Sequence, residues 1–309
     1  MRALVLFVTL SAAVLCTGSA VGAEPPTCMN QAATIVGTEG NDMVMGTSGD
    51  DVIAGLGGDD VIDGQGGIDS ICGGTGNDTL QSTGAVFALL SGDAGDDRLV
   101  DNGQSSSAAD YGTAPGPVSV NLAAGTAQGD GTDTLVGMHE VFGSDFNDTL
   151  TGDSEGNLLG GSNGNDVLRG ADGDDFIFGD AGSDLVDGGR GFDLVGFSAA
   201  GHGIVASLPA GRSTGEGTDR LRNVEGVLGS PHNDKITGNR GPNTIDGDEG
   251  ADVIRGLGGA DRLFGKEGND SLFGGPGRDL LDGGPGRDLV DGGPGKDRCL
   301  GGEKRRNCP

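Results

Sequence analysis

Gly265–Phe273 reads GKEGNDSLF, and Gly55–Asp63 reads GLGGDDVID. Both stretches follow one nine-residue frame: Gly at position 1, Gly at position 4, Asp at position 6 and an aliphatic residue at position 8. The frame recurs twenty times, with position 4 usually but not always Gly. A fixed short period marks a solenoid, in which each unit buries its apolar side by stacking on the next. Glycines permit the positive φ of tight turns. The three residues centred on position 8 then make a short strand whose middle side chain turns inward. Two units, eighteen residues, complete one coil with a strand on each side, and coils stack at the strand spacing of about 4.8 Å. The expectation is an all-β chain coiled into a parallel solenoid.

Position 6 is Asp42, Asp51, Asp60, Asp69, Asp78 and Asp97 in a first block, and Asp148, Asn157, Asp166, Asp175, Asp184 and Asp193 in a second. In a third block it is Asp234, Asn243, Asp252, Asp261, Asp270, Asp279, Asp288 and Asp297. Position 8 is Val, Ile or Leu in every copy but the last, which has Cys299. Stacking puts Asp252 over Asp270 and Asp261 over Asp279. Carboxylates a few ångströms apart repel unless a cation sits between them. Carboxylate and turn-carbonyl oxygens describe a site for Ca2+, which takes about six to eight oxygens, whereas Mg2+ demands a smaller, stricter octahedron. No His or Cys recurs in the frame, so a transition metal is not implied. All twenty position-6 residues are candidate calcium ligands, Asn157 and Asn243 offering an uncharged oxygen of the same reach.

The frame resembles the G-G-x-G-x-D-x-U-x nonapeptide of the RTX, or haemolysin-type, calcium-binding repeats, over about 180 of 309 residues. The resemblance implies a right-handed parallel β-roll, with multiple Ca2+ ions held in the turns between Asp side chains and backbone carbonyls of stacked copies. Many proteins with such repeats carry a protease, lipase, adhesin or toxin domain ahead of them and an uncleaved C-terminal export signal. Here only Glu24 to Val36 stands between an N-terminal leader and the first repeat, so the toxin and one-step-export associations are not carried over.

The chain has 47 acidic and 19 basic residues, a net charge of −28. That balance argues against nucleic acid and anionic membranes as partners. It also predicts that the calcium-free chain repels itself and is loose. Residues 1–23 read as a secretory signal: Arg2, an apolar stretch Ala3 to Cys16, and the small-residue site Val21-Gly22-Ala23. The apolar run is too short to span a membrane. The expected location is therefore secreted and extracellular, without membrane insertion. Beyond the signal lie Cys28, Cys72, Cys299 and Cys308, an even number that favours two disulfides with three connectivities open. Cys28–Cys72 with Cys299–Cys308 is the favoured set, because it staples both open ends, where a solenoid frays. With no Trp, one Tyr and ten Phe, the core is expected to be a thin aliphatic file.

The resulting organisation is signal 1–23, N-terminal lead 24–36, first block 37–100 with a degenerate copy at 82–91, spacer 101–142, second block 143–196, spacer 197–228, third block 229–300 and tail 301–309. The spacers are related: Gly131-Thr132-Asp133-Thr134-Leu135 recurs 86 residues on as Gly217-Thr218-Asp219-Arg220-Leu221. They are expected to continue the solenoid with longer rungs. Pro117 to Leu122 alternates apolar and polar residues as a longer strand would. Recognition of a surface or polysaccharide through these spacers, as in an adhesin or matrix component, is the alternative function. His139, His202 and His232 fall in or beside the breaks and read as turn residues. Arg278, Arg287 and Lys296 stand at position 5 of the last three copies and read as a solvated turn face, with partial neutralisation of the C-terminal coils as the alternative.

Catalytic signals dissolve into the frame. Gly160 to Gly164 matches G-x-S-x-G, but it is an ordinary repeat with no helix after it. Asp246 to Gly250 evokes an EF-hand without its bidentate Glu. Sequons at Asn77, Asn147 and Asn269 each use the ligand Asp as their middle residue. No stretch outside the frame is large enough for a catalytic domain. The expectation is a secreted calcium-binding structural or interaction protein with no catalytic residues, and a hydrolase is disfavoured.

Overall fold

The computed structural model describes residues 25–103 and 106–308; the signal expected over residues 1–23 lies outside them. Every regular element among the described residues is a strand, and the strands coil into a parallel β-solenoid of about 15 turns. Ser271–Phe273 shows the local rule. Its central Leu272 is fully buried while the flanking side chains face outward. It pairs in parallel with Val253–Arg255 on one side and Leu289–Asp291 on the other, each eighteen residues away.

Two sheets result. One holds fourteen parallel strands, from Ile35–Val36 to Arg298–Leu300. The other runs from Met43–Met45 to Lys304–Arg306. Its end strands pair only with Val61–Asp63 and Leu289–Asp291, so it is open at both ends. Position-8 side chains stack in register within each sheet, Ile53 on Ile71 on Leu90 in one and Ile62 on Leu80 on Leu99 in the other. All six are wholly buried, and they belong to a single apolar core that runs the length of the coil. Val44 and Cys299, in the outermost coils, are only partly buried. The turns demand glycine where coils touch. Gly268 has φ 149°, and a Cβ there would strike the carbonyl of Gly250 one coil away.

The spacers add rungs instead of lengthening them. In the fourteen-stranded sheet, Ser106–Asp110 and Glu140–Phe142 are ordinary parallel rungs. In the other sheet, Ser119–Asn121, Thr126–Gln128 and Thr132–Val136 form an antiparallel meander inserted in reverse order. Thr132–Val136 lies on the preceding Arg98–Val100, and Ser119–Asn121 lies under the following Thr149–Thr151. The second spacer repeats this with Val205–Ser207, Arg212–Thr214 and Thr218–Arg222. The longer strand expected over Pro117 to Leu122 is three residues. Val118, Val120 and Leu122 do face the core, but Asn121 accepts the Ala124 N–H at 2.9 Å and turns the chain. The degenerate copy shifts the register to nineteen, so Leu90 pairs with Ile71.

Both favoured disulfides are present. Cys28–Cys72, with Cα atoms 5.5 Å apart, ties the hairpin of Thr27–Cys28 and Gln31–Ala32 to the strand Ile68–Thr75. Cys299–Cys308 joins the last repeat to the tail. Closing a loop of 44 residues removes denatured-state entropy worth about 4 kcal/mol in the chain-entropy account.

Candidate metal centre

The position-6 side chains form ladders along the solenoid. In each step the Asp of one coil accepts, through Oδ1, the backbone N–H of the position-6 residue one coil earlier. Asp148 donates to Asp166 at 2.7 Å, Asn157 to Asp175 at 2.8 Å, Asp252 to Asp270 at 2.9 Å and Asp261 to Asp279 at 2.9 Å. The stacking at eighteen residues is as expected, but a main-chain N–H, not a gap, separates successive carboxylates. The N–H is there because position 7 of each coil donates to the position-6 carbonyl of the coil before, as Ser271 does to Asp252 at 2.8 Å. That bond leaves the position-6 N–H facing the other way.

The second oxygen is different. Oδ2 is buried without a hydrogen-bond partner in Asp60, Asp78, Asp97, Asp166, Asp175, Asp184 and Asp193, and in Asp252, Asp261, Asp270, Asp279, Asp288 and Asp297. Asp252, Asp261 and Asp270 are each 1% exposed. The remaining expected ligands, Asp42, Asp51, Asp69, Asp148, Asn157, Asp234 and Asn243, have that position filled by protein donors.

The position-1 glycine shapes the space beside each orphaned oxygen. A Cβ at Gly265 would run into Asp270 Oδ2, and would lie 2.6 Å from the carbonyl oxygen of Gly283 on the next coil. A Cβ at Gly274 would lie 2.5 Å from Asp279 Oδ2 and 2.7 Å from the carbonyl of Gly292. The turns of Asp270 and Asp279 thus each bring a carboxylate oxygen and a carbonyl oxygen of the next coil to one spot that only glycine leaves open.

Electrostatics set what this spot needs. Burial, assisted by neighbouring carboxylates, pushes Asp78, Asp261 and Asp270 up to about 6 and Asp97, Asp166, Asp184 and Asp252 up to about 7, against the lowering effect of the ladder N–H. A buried anion with a free lone pair takes either a proton or a cation. The donors are all oxygen and include carbonyls, which suits a hard cation of Ca2+ type. Among the described residues, no three His, Cys, Asp or Glu side chains converge on one point. Turn carbonyls and water are therefore the oxygens left to complete a coordination shell.

Several participants were not singled out in the sequence. Asp133 and Asp219 serve as position 6 within the spacers, accepting the N–H of Asp97 at 3.1 Å and Asp184 at 3.2 Å. The shared Gly-Thr-Asp of the two spacers carries that signal. Position 5 builds a second ladder: Asp59 donates its N–H to Asn41, and Asn77 to Asp59, both at 3.0 Å. In the last copies Arg287 reaches Glu303 at 3.3 Å, and Asp279, Asp288 and Asp297 keep an Oδ2 without a hydrogen-bond partner. His139 lies 3.4 Å from Asp153.

A family model for the RTX calcium-binding nonapeptide repeat, four copies long, matches residues 36–71, 45–80, 160–195, 228–263, 255–290 and 264–299. No curated protein matches the chain.

Proposed function

The chain belongs to the RTX calcium-binding nonapeptide-repeat family, and from that premise we propose that it is a secreted, non-enzymatic protein whose solenoid forms as Ca2+ enters its turns, and which acts as a structural or interaction module outside the cell. The observation that carries this reading is the file of buried Asp Oδ2 atoms without partners, those of Asp270 and Asp279 lying beside a carbonyl of the next coil. When bound, Ca2+ supplies positive charge that offsets the buried carboxylates. The chain's own residues do the rest. Ladder N–H groups orient each carboxylate, position-1 glycines leave room for it, and position-8 aliphatics hold the two sheets together.

Free energy of metal binding is then free energy of folding. Extracellular calcium modules bind at roughly 10⁻⁴–10⁻³ M, so external calcium folds the chain and cytosolic calcium does not. The two disulfides support an oxidising location, as does the signal read in residues 1–23. Far-UV circular dichroism near neutral pH tests the coupling. The β signal is expected in millimolar calcium and largely lost in chelator, and an equally β-rich chain in chelator would refute it.

A further inference from the structure

The turns that open the three blocks are built differently from those behind them. Given the calcium reading above, on which this rests, we infer that the first coil of each block is a calcium-independent starter and that the ions are confined to the coils stacked behind it. The difference lies at position 2. In the fourteen later copies that residue has positive φ, whatever its type: Leu56 81°, Ser162 69°, Asp180 57°, Lys266 68°. In the two opening copies of every block it does not. There it is Thr38 and Thr47, Ser144 and Asp153, or Ser230 and Asn239.

This backbone choice decides the fate of the carboxylate. In the opening copies the position-2 N–H donates to the outer oxygen of position 6: Thr47 to Asp51 at 2.6 Å, Ser144 to Asp148 at 2.5 Å and Ser230 to Asp234 at 2.6 Å. Side chains add to this, with Thr47 Oγ1 donating to Asp51 Oδ2 at 2.9 Å and Ser144 Oγ to Asp148 Oδ2 at 3.0 Å. None of the opening position-6 groups is among the orphaned ones, and thirteen of the fourteen later groups are. Both natural Asn substitutions, Asn157 and Asn243, fall in opening coils. Each accepts the position-2 N–H at 2.7 Å and needs no cation to balance a charge.

Hydroxyls close three of the four ladders of the first two blocks at the far side; the fourth, Asn157–Asp175–Asp193, ends where the Asp193 N–H donates to Glu225 at 3.2 Å. Ser82 donates to Asp69 Oδ2 at 2.6 Å, Tyr111 to Asp133 Oδ2 at 2.9 Å and Ser213 to Asp219 Oδ2 at 2.7 Å. In the ladders that end at Asp133 and Asp219 the orphaned carboxylates are therefore bracketed by protein donors at both ends. A starter coil satisfied from within offers its free position-6 N–H groups to the next coil, as Asn157 does to Asp175. It is a template onto which calcium adds coils.

The test is calcium titration of the full disulfide-intact chain by calorimetry, with circular dichroism read in parallel. Asp51→Asn and Asp148→Asn are expected to keep the wild-type ion count, with a folding midpoint within about twofold. Asn157→Asp is expected to add no ion. Asp252→Asn and Asp270→Asn are expected to lose ions and raise the midpoint several-fold. An opening-coil variant that loses ions as interior ones do, or an ion gained by Asn157→Asp, overturns the inference and leaves the calcium reading intact. A wild-type chain that takes up no calcium overturns that reading and the inference with it. Should the interior variants fail to fold, Asn157→Asp decides alone, because it alters a turn already satisfied by the chain.

Discussion

At Gly265 a single methyl group would collide with the Asp270 carboxylate and crowd the Gly283 carbonyl. Gly40 meets nothing within 4 Å and carries no positive φ. The two substitutions to Ala therefore separate packing from flexibility. Gly265→Ala is expected to lower stability in calcium by about 1–3 kcal/mol, the usual cost of overpacking, and Gly40→Ala to change it by less than about 0.5 kcal/mol. Chemical denaturation in saturating calcium reads both, and equal losses at the two sites would contradict the proposed geometry. At this scale the sequence was informative about which residues face each other. The spacing gave the eighteen-residue stacking of the position-6 residues and the inward side of the position-8 aliphatics. It could not distinguish the two turn types, because Ser144 and Ser162 are the same residue in the same frame position with different backbone states. What differs is the coil beneath each, which spacing does not encode.

Within each ladder the carboxylates behave as a column. Burial first, then neighbouring carboxylates, raises the coiled-state values of Asp97, Asp166, Asp184 and Asp252 to about 7, whereas an unfolded Asp titrates near ~3.9. A value raised in the coil means that the metal-free coil binds protons more tightly than the unfolded chain. Its stabilising contribution is full below about pH 4 and is lost as pH rises through about 6–7. Acidifying the calcium-free chain from about pH 8 to about pH 5 is thus expected to raise its β content, followed by circular dichroism. The calcium midpoint should rise over the same range as protons compete for the carboxylates. A calcium-free chain that loses β structure on acidification would contradict the raised values. The spacers mark the limit of legibility at this scale. Their mutual resemblance announced a shared form, and both adopt one. The alternation Val118, Val120, Leu122 reports which side chains face inward. It does not report the order in which strands pair, so the reversed meander was not legible.

Over the whole molecule, a net charge of −28 is wound around one narrow aliphatic core. Two disulfides hold the coil near Cys72 and Cys299 without addressing the charge. The period alone sufficed for the all-β parallel solenoid, because stacking is the only way such short strands bury position 8. The disulfides needed a separate argument, that a solenoid frays at its open ends, and the structure joins Cys28 to Cys72 and Cys299 to Cys308. The central claim is that calcium sits in the turns beside the orphaned carboxylate oxygens and thereby makes the coil stable. The most direct measurement is anomalous scattering from crystals of the full chain grown in calcium. Ions are predicted beside Asp Oδ2 in the interior turns, such as those of Asp252, Asp261 and Asp270, within about 2.3–2.6 Å of that oxygen and of turn carbonyls. A coil with the same ladders and no ions in those turns would contradict the account.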